Sequence, residues 1–365
     1  MVAGCRKYVS RGFTLLEIMA AVVVLGFVIA FSSVIFKVSI EAHRAAGASA
    51  EIMQKLRAVT NQLNIDFQGL RTDTPLLIWF EQDTDSGDRY DQIMFFADGD
   101  FHSTQLYDGA GVGTHEPADT GARIQGNAAR IHYGQAQVWD GGYVNPIDQI
   151  EGERVLARRQ HILTADDTLV QWPDISAGTA DFNDSFTDVN DGVNINETYE
   201  HDSLSLSQWK TLVSNNCEKA VMPVCFEWRP EIEFGDPNTY HKLMCEGMGS
   251  LKIQWAYWDD DPLVEAFRWF PSDDPDGDGD GDDSDSHFAL NDSNDTAFGA
   301  LFNVASGGFN NDYGPWEQLS LIKYKTGDNF AGFYPKALKF TFRLYDSAGI
   351  IEGGREFTHI VYIGE

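Results

Sequence analysis

Residues 11–31 read RGFTLLEIMAAVVVLGFVIAF, with a single carboxylate, Glu17, near the start of an otherwise apolar run. From Phe13 to Phe36 only Thr14, Glu17, Ser32 and Ser33 interrupt it. At about 1.5 Å per residue, this stretch is long enough to cross a hydrocarbon core of about 30 Å. An ionised Glu inside a bilayer costs about 2.5 to 3.5 kcal/mol on insertion scales, so Glu17 needs a partner. Residues 1–12, MVAGCRKYVSRG, carry Arg6, Lys7 and Arg11 and no acid, whereas Lys37 and Arg44 are the first cations behind the run. That asymmetry favours a cytoplasmic N-terminus. The run is too long for an ordinary secretory signal, and no A-x-A-like cleavage site follows it. Lipid attachment at Cys5, suggested by VAGC, fails because no hydrophobic stretch precedes the cysteine.

Helical periodicity continues past the apolar run. Ile52, Leu56, Val59, Leu63, Phe67 and Leu70 recur at steps of three and four, a one-sided stripe. Gly69, Asp73 and Pro75 then supply breakers. Phe13 to Leu70 therefore reads as one helix of roughly 87 Å. Its first half (13–36) is apolar all round and suits lipid or other helices. Its second half (37–71) suits the flank of a globular head.

The head, residues 72–365, has a different pattern. LLIWF (76–80), DQIMFFAD (91–98), RIHYGQAQVW (130–139), ERVLARRQHIL (153–163), SLKIQWAYWD (250–259) and EAFRWF (265–270) are short alternating or aromatic-rich runs bounded by Gly, Asp, Asn and Pro. These are marks of antiparallel strands. KALKFTFRLYD (336–346) and REFTHIVYI (355–363) read as a closing hairpin around Ser347 to Gly354. The predicted class is α+β: a long N-terminal transmembrane and amphipathic helix packed on an antiparallel β-rich head. Two acidic, Asn-rich stretches, about 173–215 and 271–315, look like insertions.

Charge narrows the function. Lys plus Arg number 26 against 56 Asp plus Glu, a net charge of −30. Such a chain repels phosphate backbones, so nucleic-acid binding is disfavoured and divalent cations become plausible partners.

RGFTLLEIMAA resembles the prepilin N-terminus of type IV pilins and type II secretion pseudopilins. The resemblance implies cleavage after Gly12 by a prepilin peptidase that also N-methylates the new terminus, Phe13. It also implies that Glu17 pairs with the terminal amine of a neighbouring subunit and so acts as a register pin during assembly. Such proteins are single-pass in the bacterial inner membrane with the head in the periplasm. Their partners are other minor pseudopilins or pilins and an inner-membrane assembly platform. LRAVTNQLNIDFQGLR, RIHYG, RVLARRQHIL, EGMGSLKIQWAYWDD, YPKALKFTFRLYD and REFTHIVYI, in that order, are similar to the minor pseudopilin J of type II secretion. The minor pilin W of type IV pili shares much of this plan. The expected role is therefore at the tip that initiates a short periplasmic filament. The alternatives are a minor pilin of a type IV pilus, or a calcium-dependent adhesive head on a pilin anchor.

DPDGDGDGDDSD, residues 274–285, places Asp274, Asp276, Asp278, Asp280, Asp282 and Asp285 at positions 1, 3, 5, 7, 9 and 12, with Gly279 at position 6. This is the oxygen-ligand spacing of an EF-hand-type Ca2+ loop, in which Asp280 contributes its backbone carbonyl. The loop resembles those of dockerins and thrombospondin repeats, where Asp replaces Glu at position 12. A solvated acidic loop is the other reading. Of the cysteines, Cys217 and Cys225 are close enough to close a small disulfide loop outside the cytoplasm, or they are ordinary buried thiols. GxSxG, HExxH and phosphate-cradling glycine loops are missing, and no two histidines fall at i, i+4, so no enzyme is expected. His161 and His359 lie in strand-like runs and read as structural.

Overall fold

The computed structural model describes residues 14–74, 76–81, 88–107, 117–118, 121–163, 200–202, 206–207, 229–258, 267–270, 297–302 and 335–363. One long helix, α1 (Leu15–Gln68), runs for 54 residues, about 80 Å. Sixteen strands follow among the described residues. They are β1 (Leu76–Glu81), β2 (Gln92–His102), β3 (Leu106–Tyr107), β4 (Pro117–Ala118), β5 (Gln125–Gln135), β6 (Gln137–Trp139), β7 (Tyr143–Val144) and β8 (Val155–Leu163). Then come β9 (His201–Asp202), β10 (Glu231–Ile232), β11 (Leu243–Glu246), β12 (Met248–Trp258), β13 (Phe267–Phe270), β14 (Ala297–Phe302), β15 (Ala337–Leu344) and β16 (Arg355–Tyr362).

The strands build two main sheets. One runs β11-β8-β5-β2-β1-β14, with β9 added beside β8; the other runs β13-β12-β15-β16. The expected hairpin is β15–β16, paired from Ala337↔Tyr362 to Leu344↔Arg355. β13 returns antiparallel along β12. The sheets join where Asp91 N donates to Leu251 O and Leu251 N to Arg89 O. Among the described residues strands pair antiparallel except β8 with β9 and β10 with β6, and the Tyr90–Leu251 bridge between the sheets is parallel.

Strand 130–139 does not run through as one piece. At Ala136 the amide donates to Val155 O, and Gln137 N then donates to Pro230 O. The last three residues, β6, leave the large sheet to pair with β10 and β7 in a third, small sheet.

The stripe read along the helix is its buried face. Ile52, Val59, Leu63 and Phe67 share one core with Ile78, Phe95, Ile131, Ile253, Phe340 and Phe342, so α1 is clamped by both main sheets. Phe67 stacks on Phe95 at 4.3 Å between centroids and meets Phe340 at 5.6 Å. The helix ends at Gly69 for a steric reason. A Cβ there would fall 2.0 Å from Asp98 O. That close approach lets Asp98 N donate to Gly69 O and Arg71 N to Phe96 O, and Leu70 joins β2 in an isolated bridge to Ala97 instead of continuing the helix.

Inside this interface lies Asp66, 3% exposed. Arg158 on β8 grips it with two bonds, Nε to Oδ2 at 2.6 Å and Nη2 to Oδ1 at 2.8 Å. The Tyr133 hydroxyl of β5 donates to the same carboxylate, and Gln62 Nε2 adds a bond at 3.0 Å. Burial, then the Asp66 charge, pushes the Tyr133 phenol well above its ordinary value, so it remains a donor. Burial alone would lower the Arg158 guanidinium, but Asp66 outweighs it and raises the group. Removing one partner of such a buried pair leaves the other charge unpaired. Asp66→Ala should cost about 3 to 5 kcal/mol, read as denaturant unfolding of the full-length protein in detergent. Asp98→Ala, which removes an exposed partner of Arg71, should cost below about 1 kcal/mol. Equal losses would remove the special role of Asp66.

Candidate functional site

Among the described residues no part of the head covers the apolar half of α1. Every large apolar side chain from Leu15 to Ile40 is exposed, Leu15 and Leu16 at 78%. The segment is long and apolar enough to cross a membrane, and none of it is buried against the head.

Thr14 and Glu17 organise its first turn. Thr14 is the N-cap, and its hydroxyl accepts from Glu17 N at 3.3 Å. In return Glu17 Oε2 accepts from Thr14 N at 2.9 Å and from the Thr14 hydroxyl at 3.0 Å. Two of the orphan donors of a helix start are thereby satisfied reciprocally. The carboxylate is folded back toward the N-terminus, and both bonds fall on Oε2. Oε1 meets no donor among the described residues. Thr14-Leu-Leu-Glu17 is the sequence signature of this capping box, so a partner of Glu17 lies three residues before it in the chain.

Farther along, polar clamps at the point of entry fix the helix to the head. Lys55 Nζ donates to Tyr345 O at 2.8 Å and pairs with Glu51 at 2.9 Å. Glu51 accepts from Ser347 N at 2.9 Å and Ser347 Oγ at 3.0 Å. Partial burial works against the charge of Glu51, but Lys55 and Ser347 hold its carboxyl below the ordinary range. Arg355 reaches Ser49, and His359 bonds Asn64 Oδ1 at 2.9 Å, which ties β16 to α1. His161 likewise pairs with buried Arg130 at 3.0 Å.

Gly12, Phe13, Cys5, Cys217, Cys225 and all six aspartates of 274–285 lie outside the described residues. Cys245 is a free, buried thiol that burial pushes up to about 11, which suits an inert core residue. Among the described residues no group of three or more His, Cys, Asp or Glu side chains is placed to hold a metal ion.

Comparison with known proteins agrees with this N-terminal geometry. A family model described as the prokaryotic N-terminal methylation motif matches residues 8–33. The chain therefore carries a prepilin-type N-terminus followed by a long apolar helix, consistent with a type IV pilin-like protein. No curated protein and no solved structure matches it. The motif implies processing by a prepilin peptidase and assembly with other pilins, and it points to a structural protein rather than an enzyme. Helix and motif together are consistent with a single-pass membrane anchor.

Thr14→Ala should fray the helix start, with a cost of about 0.5 to 2 kcal/mol. Amide exchange of the full-length protein in micelles should show faster exchange at residues 17 and 18, with residues near Leu63 unchanged. Unaltered exchange at Glu17 would mean that Thr14 does not cap the helix.

Proposed function

We propose that the chain is a minor pseudopilin of a type II secretion system, similar to J, which helps form the tip that initiates the periplasmic pseudopilus. The observation that carries this reading is α1 itself: a prepilin-type start, an apolar half left uncovered, and a second half locked into a large β-rich head. A head of this size on one protomer is poorly suited to stacking repeatedly along a narrow filament, and that favours a low-copy place at the tip. The similarity of the ordered head segments to J supports the secretion branch over the pilus branch.

On this reading Gly12 is the residue before the cut, Phe13 the methylated terminus, and Glu17 the register pin. Its carboxylate exchanges the Thr14 bonds for the amine of a neighbour as the subunit docks. Loss of the charge removes that exchange. Glu17→Gln should be cleaved at Gly12 normally yet be lost from the assembled fraction. A clean deletion in the native host should stop release of exported proteins while surface pili persist. Loss of pili with secretion intact would move the protein to the minor pilins of type IV pili.

The head is further proposed to bind Ca2+ through Asp274, Asp276, Asp278, Asp282 and Asp285 with the carbonyl of Asp280. The spacing of those acids supports it, and extracellular modules of this kind bind at about 10⁻⁴ to 10⁻³ M. Titration of the full-length protein should show one site that is lost on Asp276→Ala with Asp278→Ala. No binding at millimolar calcium would remove the metal. An adhesive head remains the second use of such a loop, and it predicts that deleting 274–285, which leaves β14 in place beside β1, abolishes attachment while secretion continues.

A further inference from the structure

The small sheet β10-β6-β7 leaves unusual side chains in the open. Trp139, Tyr143, Ile147, Ile150, Phe234 and Tyr240 are each between 40% and 68% exposed. Val138 and Ile232 turn inward onto Ala136, Val155 and Ala157. By strand alternation Trp139 and its cross-strand partner Tyr143 lie on the outer face. Their rings meet edge to face at 5.0 Å. The segment with Ile147 and Ile150 is tied to the same sheet, since Gln149 Nε2 donates to Ala136 O and Val144 O at 3.0 and 2.7 Å. Across the β10 side, the Tyr240 hydroxyl donates to Phe234 O.

A cluster of exposed aromatic and aliphatic side chains of this kind marks an interaction site. Trp and Tyr are the residues most enriched among binding hot spots. The setting is acidic: Asp140, Asp148 and Glu153 are exposed, and Glu231, Glu233 and Asp236 are half-buried. Across 137–153 and 229–242 no Lys or Arg is exposed, because Arg229 and Lys242 are buried.

We infer that this patch docks the head of a different subunit, one that presents an apolar centre ringed by Lys and Arg. The inference rests on the pilin-type assembly reading and names the partner chemistry that reading leaves open. A second copy of this chain would bring the same acidic rim against itself, and like charges juxtaposed at an interface are strongly unfavourable. An anionic lipid surface is disfavoured for the same reason. The location suits a neighbour held alongside. Glu151, next to Ile150, accepts from the Tyr345 hydroxyl, and the Tyr345 carbonyl accepts from Lys55 of α1. The patch thus adjoins the level at which the helix enters the head.

The test uses the full-length chain in its native host, with a photo-crosslinking amino acid at Ile147 and, separately, at Val22 in the apolar helix. Ile147 should capture a second prepilin-type subunit with a basic head, identified by mass spectrometry. The yield should fall at least tenfold on Trp139→Asp, on Ile150→Asp, or on Asp140→Lys with Asp148→Lys. Crosslinks from Val22 should persist in each variant, which shows that the protein still inserts, and limited proteolysis of each variant should match the wild type, which shows that the head still folds. If Val22 crosslinks but Ile147 captures nothing, lipid, or a second copy of this chain, the docking patch is overturned and the assembly reading stands. If Val22 captures no prepilin-type subunit either, the assembly reading fails and the patch proposal goes with it.

Discussion

One continuous helix has to satisfy two different surroundings, and the rest of the structure follows from how it divides. From Leu15 to Phe36 α1 is apolar all round save for Glu17 and the pair Ser32 and Ser33, and from Ile52 to Phe67 it is apolar on one side only. Among the described residues nothing in the head covers the first part, and both main sheets close on the second. A helix buried along its last turns has little freedom to tilt, so the exposed half extends as a stiff lever. Glu17 stands about 50 Å along the axis from Ile52 at 1.5 Å per residue. Where the head sits therefore sets where that carboxylate sits.

Apolar packing alone would fix that position poorly. Ile52, Val59, Leu63 and Phe67 are spaced so that a slide by one turn still presents apolar groups to an apolar surface. Asp66 does not tolerate the slide. Displaced by a turn, it would lose the planar fork of Arg158 and the Tyr133 hydroxyl together and remain a buried, unpaired charge. Gly69 acts in the same direction, since its missing Cβ is what admits the Asp98 carbonyl and zips the helix end to β2. Register at the head thus comes from polar geometry, and burial supplies the bulk of the attraction.

These two kinds of information are unequally visible in a sequence. Periodicity reports which face of a helix is buried, so the stripe and the helix limits could be read to within a few residues. Alternation reported β2, β8, β12, β15 and β16 in the same way. Partner choice is different. Asp66 lies within a stripe of apolar residues and Arg158 in a strand far along the chain, and nothing local connects them. The turn of the chain at Ala136 was equally hidden, because RIHYGQAQVW alternates smoothly across a point where one sheet hands over to another. Thr14 is the opposite case: its spacing from Glu17 is a local signature, masked by the expectation that a carboxylate in lipid must look outward for its partner.

Charge distribution carries the last step. The chain's net charge is −30, yet Arg130, His132, Arg159 and His161 are all buried on the large sheet, on the face away from α1. Buried acids, Asp66, Asp91, Glu200 and Asp346, nearly balance the buried Arg and Lys among the described residues, so the surface keeps the acidic character of the composition. At physiological salt such charges are screened beyond about 8 Å, so they act little at a distance and strongly at contact. An acidic surface of that kind does not prevent subunits from meeting in a crowded membrane. On the assembly reading proposed above, it would select which heads can close on one another once their helices lie side by side.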